Sequence, residues 1–481
     1  MRTAQTFAEL SQRAGRDVAE AGRPVVCVQG LGFVGAAMAV AVARAGAEAG
    51  ELRYDVIGVD LPHASGQRRI EALNRGEFPF ASHDESLRRA TRQGFEAGNL
   101  LACSDPGSYA LASVAVVDLP LDVDWEADPP AVRWDGFHAG IRQLAEHLAP
   151  GALVVLETTV PPGTTQKVVA PIFEEVLGAR GLPGDAVHLA HSYERVMPGR
   201  DYYDSIVNFW RVYSGLGEEA ADACQVFLAS IINTADFPLA RVGSPTASEV
   251  GKLLENSFRA TTIAFMEEWG RFAEVAGVDL FEVVEAIRRR PTRANMRTPG
   301  FGVGGYCLTK DPLFAPLASR ELFGLDCEFP FSSLAVATNR DMPRVSVDRL
   351  ERLLGGLGGR QLLLLGISYR QDVGDTRYSP SETFYREAIA RGARVVAHDP
   401  LVSFWEELGI ATPGVLPPAA EMDAVVFAVP HREYLELDFE PWLGEHRPLI
   451  FDGFDVLSRE RREALRRLGC RVESIGRGEA L

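Results

Sequence analysis

Short, continuous runs of apolar and mostly β-branched residues recur along the first half of the chain and predict buried strands. They occupy residues 25–28, 56–59, 114–117, 153–156 and 187–190. Stretches with apolar residues at helical spacing separate them. Because a strand that is apolar on both faces is buried on both faces, the pattern predicts a parallel sheet covered by helices on each side.

The pattern changes near residue 241, where strand-like runs stop. Residues 248–276 read as one long helix, and a second helix is predicted to begin near Asp279. The apolar positions of the long helix are Val250, Leu253, Leu254, Phe258, Ile263, Phe265 and Phe272. A long apolar helix of this kind predicts a helical middle domain and a homodimer packed along it.

Strand-like runs return in the last third of the chain, together with a helix predicted over residues 381–391. The runs are residues 361–366, 395–396, 425–427 and 449–451. They indicate a second set of strands and helices like the first. The predicted fold class is therefore α/β, with two parallel-sheet domains joined by a long-helix middle domain.

This pattern divides the chain into four segments. They are an N-terminal extension over 1–23, a first parallel-sheet domain over 24–240, a helical domain over 241–343 and a second parallel-sheet domain over 344–481. The extension reads as an amphipathic helix, with Phe7, Leu10, Ala14 and Val18 at roughly helical spacing. A length of 481 residues fits about three domains of roughly 100–200 residues each.

Composition and charge narrow the classes of partner. A formal net charge of −17 argues against nucleic acid and anionic membranes, because both would require a basic face. Residues 25–47 are apolar enough to suggest a membrane span, but Gln29 and Arg44 interrupt them, so no membrane partner is predicted. The six scattered cysteines form no C-x-x-C pair, which predicts a reducing, cytoplasmic location and no metal site.

A glycine motif follows the first predicted strand. Gly30, Gly32 and Gly35 have G-x-G-x-x-G spacing, and Asp60 ends the next strand. Glycines at this spacing permit a tight turn and let a pyrophosphate approach the backbone, while the acid accepts hydrogen bonds from ribose hydroxyls and favours NAD over NADP. The predicted cofactor contacts are Gly30, Gly32, Phe33, Val34, Gly35 and Asp60.

A threonine-rich run, residues 157–165, follows the fourth predicted strand. Hydroxyl groups at the carboxyl end of a strand face the ligand crevice of an open sheet, so Thr159 is also predicted to contact the cofactor. The alternative interpretation of this run is a loop that caps a helix.

Cys307 is a lone thiol behind a glycine-rich turn and shortly before Lys310 and Asp311. A thiolate is a strong nucleophile when cationic or N–H groups stabilise it, and glycines let backbone N–H groups approach a reacting oxygen. The alternative interpretation is a small buried apolar side chain.

These motifs together resemble the UDP-glucose/GDP-mannose dehydrogenase family from Pro24 onward. The similar segments are residues 30–35, 158–165, 193–200, 249–256, 301–311, 365–369 and 379–380. The resemblance implies two Rossmann-like domains joined by a helical dimerisation domain, with NAD bound by the first and a UDP-sugar by the second. It also implies a homodimer.

The resemblance implies oxidation of a sugar C6 alcohol to a carboxylate in two NAD-dependent steps, supplying a polysaccharide or glycoconjugate precursor. Cys307 would add to the C6 aldehyde to form a thiohemiacetal and then a thioester. Lys252 and Asn256, four residues apart on one helical face, would stabilise the oxyanion. Asp311 would hold a water or relay a proton, and Glu194 would be the base for hydrolysis.

The resemblance also implies a set of substrate contacts. They are Arg195, Arg211, Arg293, Gly304, Gly305, Tyr369 and Arg377. Arg293 would reach across the dimer to the neighbour's substrate, since an arginine fork suits a diphosphate. Residues 194–200 and the glycine segment before Cys307 are most similar to members that act on UDP-N-acetylhexosamines, such as the UDP-N-acetylmannosamine dehydrogenases.

Three departures from the family pattern stand out. Residues 117–120 read Val-Asp-Leu-Pro where the family usually has Val-Pro-Thr-Pro, so a hydroxyl near the cofactor is missing and Asp118 appears. Tyr306 stands where the N-acetylhexosamine group commonly has His, and Arg370 and Gln371 replace a frequent Lys-Pro pair.

Three alternatives stay open beside the leading hypothesis. One is a UDP-glucose 6-dehydrogenase, and another is a non-catalytic nucleotide-sugar-binding or NAD-binding homologue. The third is a two-electron dehydrogenase of the 6-phosphogluconate or hydroxyacid type, which would need neither Cys307 nor the last domain.

Overall fold

The computed structural model describes residues 6–15, 21–125 and 127–478. Its contacts group the chain into two compact units. Unit 1 comprises Met1–Leu253 and Phe314–Glu328, and unit 2 comprises Leu254–Leu313 and Phe329–Leu481. Two helices each begin in one unit and end in the other. The boundaries at residues 240 and 343 stay a prediction.

Unit 1 alternates strands and helices as predicted. Its strands are β1 (Val25–Gln29), β2 (Asp55–Val59), β3 (Leu100–Cys103), β4 (Ala112–Val117), β5 (Val123–Asp124), β6 (Ala131–Val132), β7 (Leu153–Leu156), β8 (His188–His191), β9 (Val212–Gly215) and β10 (Ala240–Arg241). Its helices are α1 (Phe7–Arg13), α2 (Phe33–Ala43), α3 (Ala64–Asn74), α4 (Glu85–Glu96), α5 (Asp135–His147), α6 (Ala170–Ala179), α7 (Asp204–Val207) and α8 (Glu218–Ala229).

Within the described residues, eight strands of unit 1 form a sheet in the order β10-β9-β8-β7-β4-β1-β2-β3, and β5 and β6 form a separate antiparallel pair. Neighbouring strands of the eight-stranded sheet run parallel except β8 and β9, which are antiparallel. The predicted sheet is thus confirmed, with one reversed strand pair that a hydrophobic pattern does not encode. Strand order reverses between β1 and β4, and ligands of open α/β sheets bind at the carboxyl ends of strands at such a point.

Both faces of this sheet are buried, as continuous apolar strands require. In β1, Val26 and Val28 belong to one core cluster, whereas Cys27 between them belongs to the other. Phe7 and Leu10 of α1 join the second cluster, so the N-terminal helix packs against the sheet. Thr6 and Glu9 form a capping box that begins this helix. The predicted helical position Val18 lies outside the described residues.

The middle of the chain is helical, as predicted. Its helices are α9 (Pro245–Ala276), α10 (Leu280–Arg288), α11 (Tyr306–Glu321) and α12 (Pro330–Leu354). Asp279 caps α10 by accepting hydrogen bonds from the N–H groups of Phe281 and Glu282. Both α9 and α11 run from one unit into the other.

Unit 2 contains the second sheet. Its strands are β11 (Gln361–Leu365), β12 (Arg394–His398), β13 (Phe404–Trp405), β14 (Ile410–Ala411), β15 (Ala424–Phe427), β16 (Leu449–Asp452) and β17 (Val472–Ser474). Its remaining helices are α13 (Pro380–Ala390), α14 (Arg432–Leu435), α15 (Phe439–Leu443) and α16 (Arg459–Arg467). In the described residues the main sheet is parallel throughout, in the order β12-β11-β15-β16-β17.

The second sheet is also buried on both faces. Leu362 and Leu364 point into one core cluster, and Leu363 and Leu365 point into the other. The two-Rossmann-like α/β class predicted from the sequence is therefore confirmed. Across the part of the chain that the structure describes, we find no helix with the length and apolar character needed to traverse a bilayer.

Candidate active site

The glycine motif forms a tight turn between β1 and α2. Gly30 has φ +91°, and its N–H donates to Val59 O at 2.8 Å. A Cβ on Gly35 would stand 1.9 Å from Gly30 O, so only glycine fits there. Gly32 begins α2 without a side-chain cap, which leaves first-turn N–H groups to meet an anion. Phe33 and Val34, both half-buried, follow in that first turn.

Asp60 lies at the carboxyl end of β2, where the motif requires an acid. Its carboxylate accepts hydrogen bonds from the N–H groups of Leu61 at 2.7 Å and Leu31 at 3.3 Å. Arg69 Nε donates to the same carboxylate at 2.7 Å. The tight glycine turn, the uncapped helix and this carboxylate fit a dinucleotide, and the contact of Asp60 with ribose hydroxyls stays a prediction.

The threonine-rich loop after β7 is held by a buried carboxylate. Glu249 accepts hydrogen bonds from Gly163 N at 2.6 Å, Thr165 N at 2.8 Å and Thr165 Oγ1 at 2.6 Å. Burial raises the pKa of Glu249, and these hydrogen bonds oppose that shift. Thr159 is half-buried in this loop.

Glu194 and Lys252 form a buried ion pair in unit 1. Lys252 Nζ donates to Glu194 Oε1 at 3.2 Å and to Glu194 O at 2.8 Å. The other carboxylate oxygen of Glu194 accepts from Val196 N at 2.5 Å. The structure therefore brings together the predicted hydrolytic base and one predicted oxyanion stabiliser. Arg195, next in the chain, donates to Trp210 O at 3.0 Å and lies over the ring of Tyr193.

Arg211 is fully buried rather than facing an open crevice. Its Nη1 donates to Glu157 Oε1 at 2.7 Å and to Tyr193 O at 3.3 Å. The guanidinium therefore acts first as the counter-charge of Glu157, a role that the sequence did not indicate.

Cys307 lies in the first turn of α11 in unit 2 and is exposed. Asp311 follows four residues later, so both lie on one face of the helix. Asp311 is buried and accepts hydrogen bonds from Asn256 Nδ2 at 2.8 Å and Lys310 Nζ at 3.0 Å. The structure thus places Cys307, the predicted nucleophile, one helical turn before Asp311, the predicted proton relay. The Asn256 amide and the Lys310 cation hold the Asp311 carboxylate in place.

The loop before Cys307 depends on close backbone approach. A Cβ on Gly304 would stand 2.4 Å from Tyr378 O, and one on Gly305, whose φ is +78°, would stand 3.0 Å from the Tyr369 ring. These two predicted substrate contacts therefore also let the loop pack against the segment that follows β11. Asn339 pins the same loop, donating to Val303 O at 2.7 Å and accepting from Val303 N at 2.8 Å.

Three arginines lie close enough to influence one another near Cys307. The pKa of Arg259 is lowered by partial burial and by the neighbouring Arg297 and Arg370, while Cys307 opposes that shift. A concentration of guanidinium groups beside a thiol stabilises its thiolate and attracts an anionic substrate. Arg259 was absent from the predicted site, although it follows Asn256 by only three residues and lies on the same helix.

The remaining predicted substrate residues of unit 2 flank this cluster. Burial raises the pKa of Tyr369, with contributions from Asp375 and Cys307. Arg377 donates to Asp375 through Nε at 2.9 Å and Nη2 at 2.6 Å, and it lies 4.6 Å from the Tyr306 ring centre. Asp375 is a positioning partner that no sequence motif indicated.

Arg293 is exposed, and its Nη1 donates to Thr292 O at 2.9 Å. Its predicted contact with a neighbouring protomer's substrate stays a prediction.

The chain belongs to the UDP-glucose/GDP-mannose dehydrogenase family. Residues 25–228 match the family's NAD binding domain, residues 246–340 its central domain and residues 363–459 its UDP binding domain. The protein is accordingly an NAD-dependent nucleotide-sugar dehydrogenase.

Several relatives are similar to it over nearly the whole chain. A UDP-N-acetyl-D-mannosamine dehydrogenase of Pyrococcus horikoshii is 29% identical over 94% of this chain and 99% of its own length. The solved structure of a UDP-D-ManNAc dehydrogenase from the same organism has a TM-score of 0.79 at 26% identity and covers 95% of this chain and 100% of its own. A UDP-glucose dehydrogenase from Pyrobaculum islandicum has a TM-score of 0.78 at 26% identity, covering 96% and 100%.

Proposed function

We propose that the protein oxidises the C6 alcohol of a UDP-N-acetylhexosamine to a carboxylate, in a four-electron reaction that passes through a covalent Cys307 adduct. The observation that carries this proposal is the exposed Cys307 in the first turn of α11. Asp311 lies one turn later and is fixed by Asn256 and Lys310. A two-electron dehydrogenase would have no need of a nucleophile in this position.

In the first oxidation the C6 alcohol loses a hydride and a proton and becomes an aldehyde. When bound, NAD supplies the hydride acceptor for each oxidation. Asp311 receives the alcohol proton, directly or through a water, because its carboxylate is held in place by the Asn256 amide and the Lys310 cation. The Cys307 thiolate then adds to the aldehyde carbon, and the resulting thiohemiacetal is oxidised to a thioester.

Hydrolysis completes the reaction. Glu194 takes a proton from the attacking water, which adds to the thioester carbonyl and displaces the Cys307 thiolate, leaving the uronate. Lys252 and Asn256 stabilise the oxyanions that form in the addition steps. The ion pair between Lys252 and Glu194 supports these assignments because it holds both groups in place before reaction.

The proposed substrate class is supported by the relatives and by the three arginines of unit 2 near Cys307, which are Arg259, Arg297 and Arg370. The Pyrococcus horikoshii relative is named a UDP-N-acetyl-D-mannosamine dehydrogenase. Arg195, Arg293, Tyr369 and Arg377, with Gly304 and Gly305, are proposed to contact the UDP-sugar. A second candidate is UDP-glucose, favoured by Tyr306 at a position where the N-acetylhexosamine group commonly has His.

A homodimer is proposed as the assembled form. In the single chain, α9 exposes a stripe of large apolar side chains that recur at helical spacing, and such a stripe is typical of a protein interface. A cytoplasmic location and a role in making polysaccharide or glycoconjugate precursors complete the proposal.

The test is the amount of NADH formed per sugar consumed, measured with NAD and a panel of UDP-hexoses. The expected result is about two NADH per sugar, from two successive hydride transfers, with a UDP-N-acetylhexosamine as the preferred substrate. One NADH per sugar would indicate a two-electron dehydrogenase. Preference for UDP-glucose would establish the second candidate, and NAD binding without turnover of any sugar would indicate a non-catalytic homologue.

A further inference from the structure

Asp118, one of the departures from the family pattern, lies at the point where the strand order of unit 1 reverses. It directly follows β4, and its N–H donates to Gln29 O at 2.8 Å. A Cβ on Gly30 would stand 2.6 Å from Asp118 O, and one on Gly35 would stand 3.1 Å from Asp118 Cβ. Asp118 therefore packs directly against the turn that shapes a pyrophosphate site.

The carboxyl group of Asp118 is buried without hydrogen-bond donors. The residue as a whole is half-buried, yet both carboxyl oxygens are inaccessible to solvent and, among the residues that the structure describes, neither accepts a hydrogen bond. Glu249 in the same unit is also buried but accepts three hydrogen bonds. An ionised carboxylate in the position of Asp118 has neither water nor donors to stabilise its charge.

The charged groups around Asp118 leave it without a counter-ion of its own. Glu157, Glu194 and Arg211 are the groups whose charges act on it. Arg211 is bonded to Glu157 at 2.7 Å, and Lys252 is bonded to Glu194 at 3.2 Å. The cluster thus contains three carboxyl groups and two cations, and Asp118 is the unpaired acid. Burial raises the pKa of Asp118 well above its usual value, and the negative charges of Glu157 and Glu194 raise it further.

We propose that Asp118 belongs to the dinucleotide site as a carboxylic acid that carries a proton when the dinucleotide binds, and that its ionisation opposes binding of the pyrophosphate at the Gly30 turn. A pyrophosphate is anionic, and a buried carboxylate beside it repels it in a medium of low dielectric constant. Above the pKa of Asp118, binding then requires uptake of one proton from solvent. Below that pKa the proton is already in place.

The test is the affinity for NAD, measured by calorimetry without any sugar from about pH 6 to about pH 9. The affinity of the natural protein is expected to fall as pH rises, by up to about tenfold per pH unit above the pKa of Asp118. Asp118→Asn, which is permanently neutral, is expected to keep the low-pH affinity across the range. ADP-ribose, which has the same pyrophosphate without nicotinamide, is expected to show the same pH dependence as NAD.

Asp55→Asn is the matched control. Asp55 is a buried acid at the amino end of β2, bonded to Arg23 at 2.6 Å, and burial raises its pKa too. This variant should keep the pH dependence of the natural protein. His191 is not a competing source, because burial and Lys252 lower its pKa to about 3.

Several outcomes would overturn the proposal. They are an affinity that is flat or rises with pH in the natural protein, an unchanged pH dependence in Asp118→Asn, or a dependence seen with NAD but not with ADP-ribose. If Asp118→Asn does not fold, calorimetry of the natural protein in two buffers of different ionisation enthalpy decides, because binding at high pH must take up a proton. These measurements do not depend on sugar oxidation, so they fail or succeed independently of the proposed function.

Discussion

At the position of Cys307, the helix itself contributes to reactivity. The thiol lies in the first turn of α11, where backbone N–H groups point out of the helix end and favour negative charge. Arg259 lies close enough for Cys307 to influence its pKa. The helix end and the guanidinium both favour the thiolate over the thiol. The thiolate is the form that adds to an aldehyde.

Replacing this sulfur should separate cofactor binding from turnover. Cys307→Ser is expected to lower UDP-sugar-dependent NADH formation by at least about a thousandfold, because a serine hydroxyl lacks a stabilised anion at neutral pH. Its affinity for NAD should stay unchanged, since the glycine turn and Asp60 lie in unit 1. The measurements are steady-state NADH formation and NAD titration.

Cys327→Ser is the control for loss of an exposed thiol, because Cys327 is also exposed and has no assigned role. It should behave as the natural protein does. Full turnover to the uronate by Cys307→Ser would remove the covalent route.

The loop that leads into α11 is the element on which the position of Cys307 depends. Gly302 and Gly305 both have positive φ, so the loop carries little intrinsic preference for its conformation. Asn339 of α12 fixes the conformation of the loop, because its side chain hydrogen-bonds both the N–H and the C=O of Val303. Asn339 is thus a positioning residue that acts on Cys307 through the loop.

Shortening the Asn339 side chain should therefore change kcat more than substrate binding. Asn339→Ala is expected to lower kcat by about tenfold to a hundredfold with a smaller change in KM, because the proposed nucleophile, Cys307, loses its fixed position. The free energy of unfolding should fall by about 1–3 kcal/mol, since the partly buried N–H and C=O groups of Val303 lose their partner. Steady-state kinetics and denaturant unfolding measure the two effects.

Asn339→Asp gives a graded comparison, because it keeps the acceptor for Val303 N and loses the donor to Val303 O. Its kcat should lie between those of the natural protein and Asn339→Ala. Ser333→Ala, an exposed change on the same helix, should alter neither quantity. Equal losses of stability and activity in Asn339→Asp and Asn339→Ala, without any graded kcat, would contradict the positioning role.

For the whole molecule, the hydrophobic pattern predicted both sheets but not all of their strands, because β3, β9, β10 and β17 were not among the predicted runs. Residues 25–28 and 153–156 were predicted as strands, and β1 and β7 occupy them with at most one added residue. The pattern did not predict the antiparallel pairing of β9, because strand direction depends on the route of the connecting chain. The predicted division of the chain into domains stays a prediction.

The candidate site likewise contains residues that the sequence indicated and residues that it did not. Cys307, Asp311 and the Gly30 turn are parts of local motifs, so sequence alone indicated them. Asn339 and Val303 are 36 residues apart, and Arg211 and Glu157 are 54 residues apart. Such pairs form only when distant segments fold together, and no local spacing encodes them. The burial of the Asp118 carboxyl is likewise a property of the folded sheet.

The apolar stripe of α9 gives the prediction that belongs to the assembled molecule. Phe258, Phe265 and Phe272 are spaced seven residues apart, which places them on one helix face, and all are at least half exposed in the single chain. Burying each side chain stabilises an interface by about 1.5–3 kcal/mol. The natural protein is therefore expected to be a dimer at micromolar concentration in sedimentation and light-scattering measurements.

Charged residues introduced into this apolar stripe should dissociate the dimer. The double variant Phe258→Glu with Phe272→Glu is expected to raise the dimer Kd by at least about a hundredfold, because two buried aromatic contacts become buried charges. Val226→Glu is the matched control, since Val226 is a lone exposed apolar residue of α8 with 71% exposure. A monomeric natural protein would rule out this interface. So would equal dissociation by Val226→Glu, because the effect would then come from added negative charge on a chain that already carries −17.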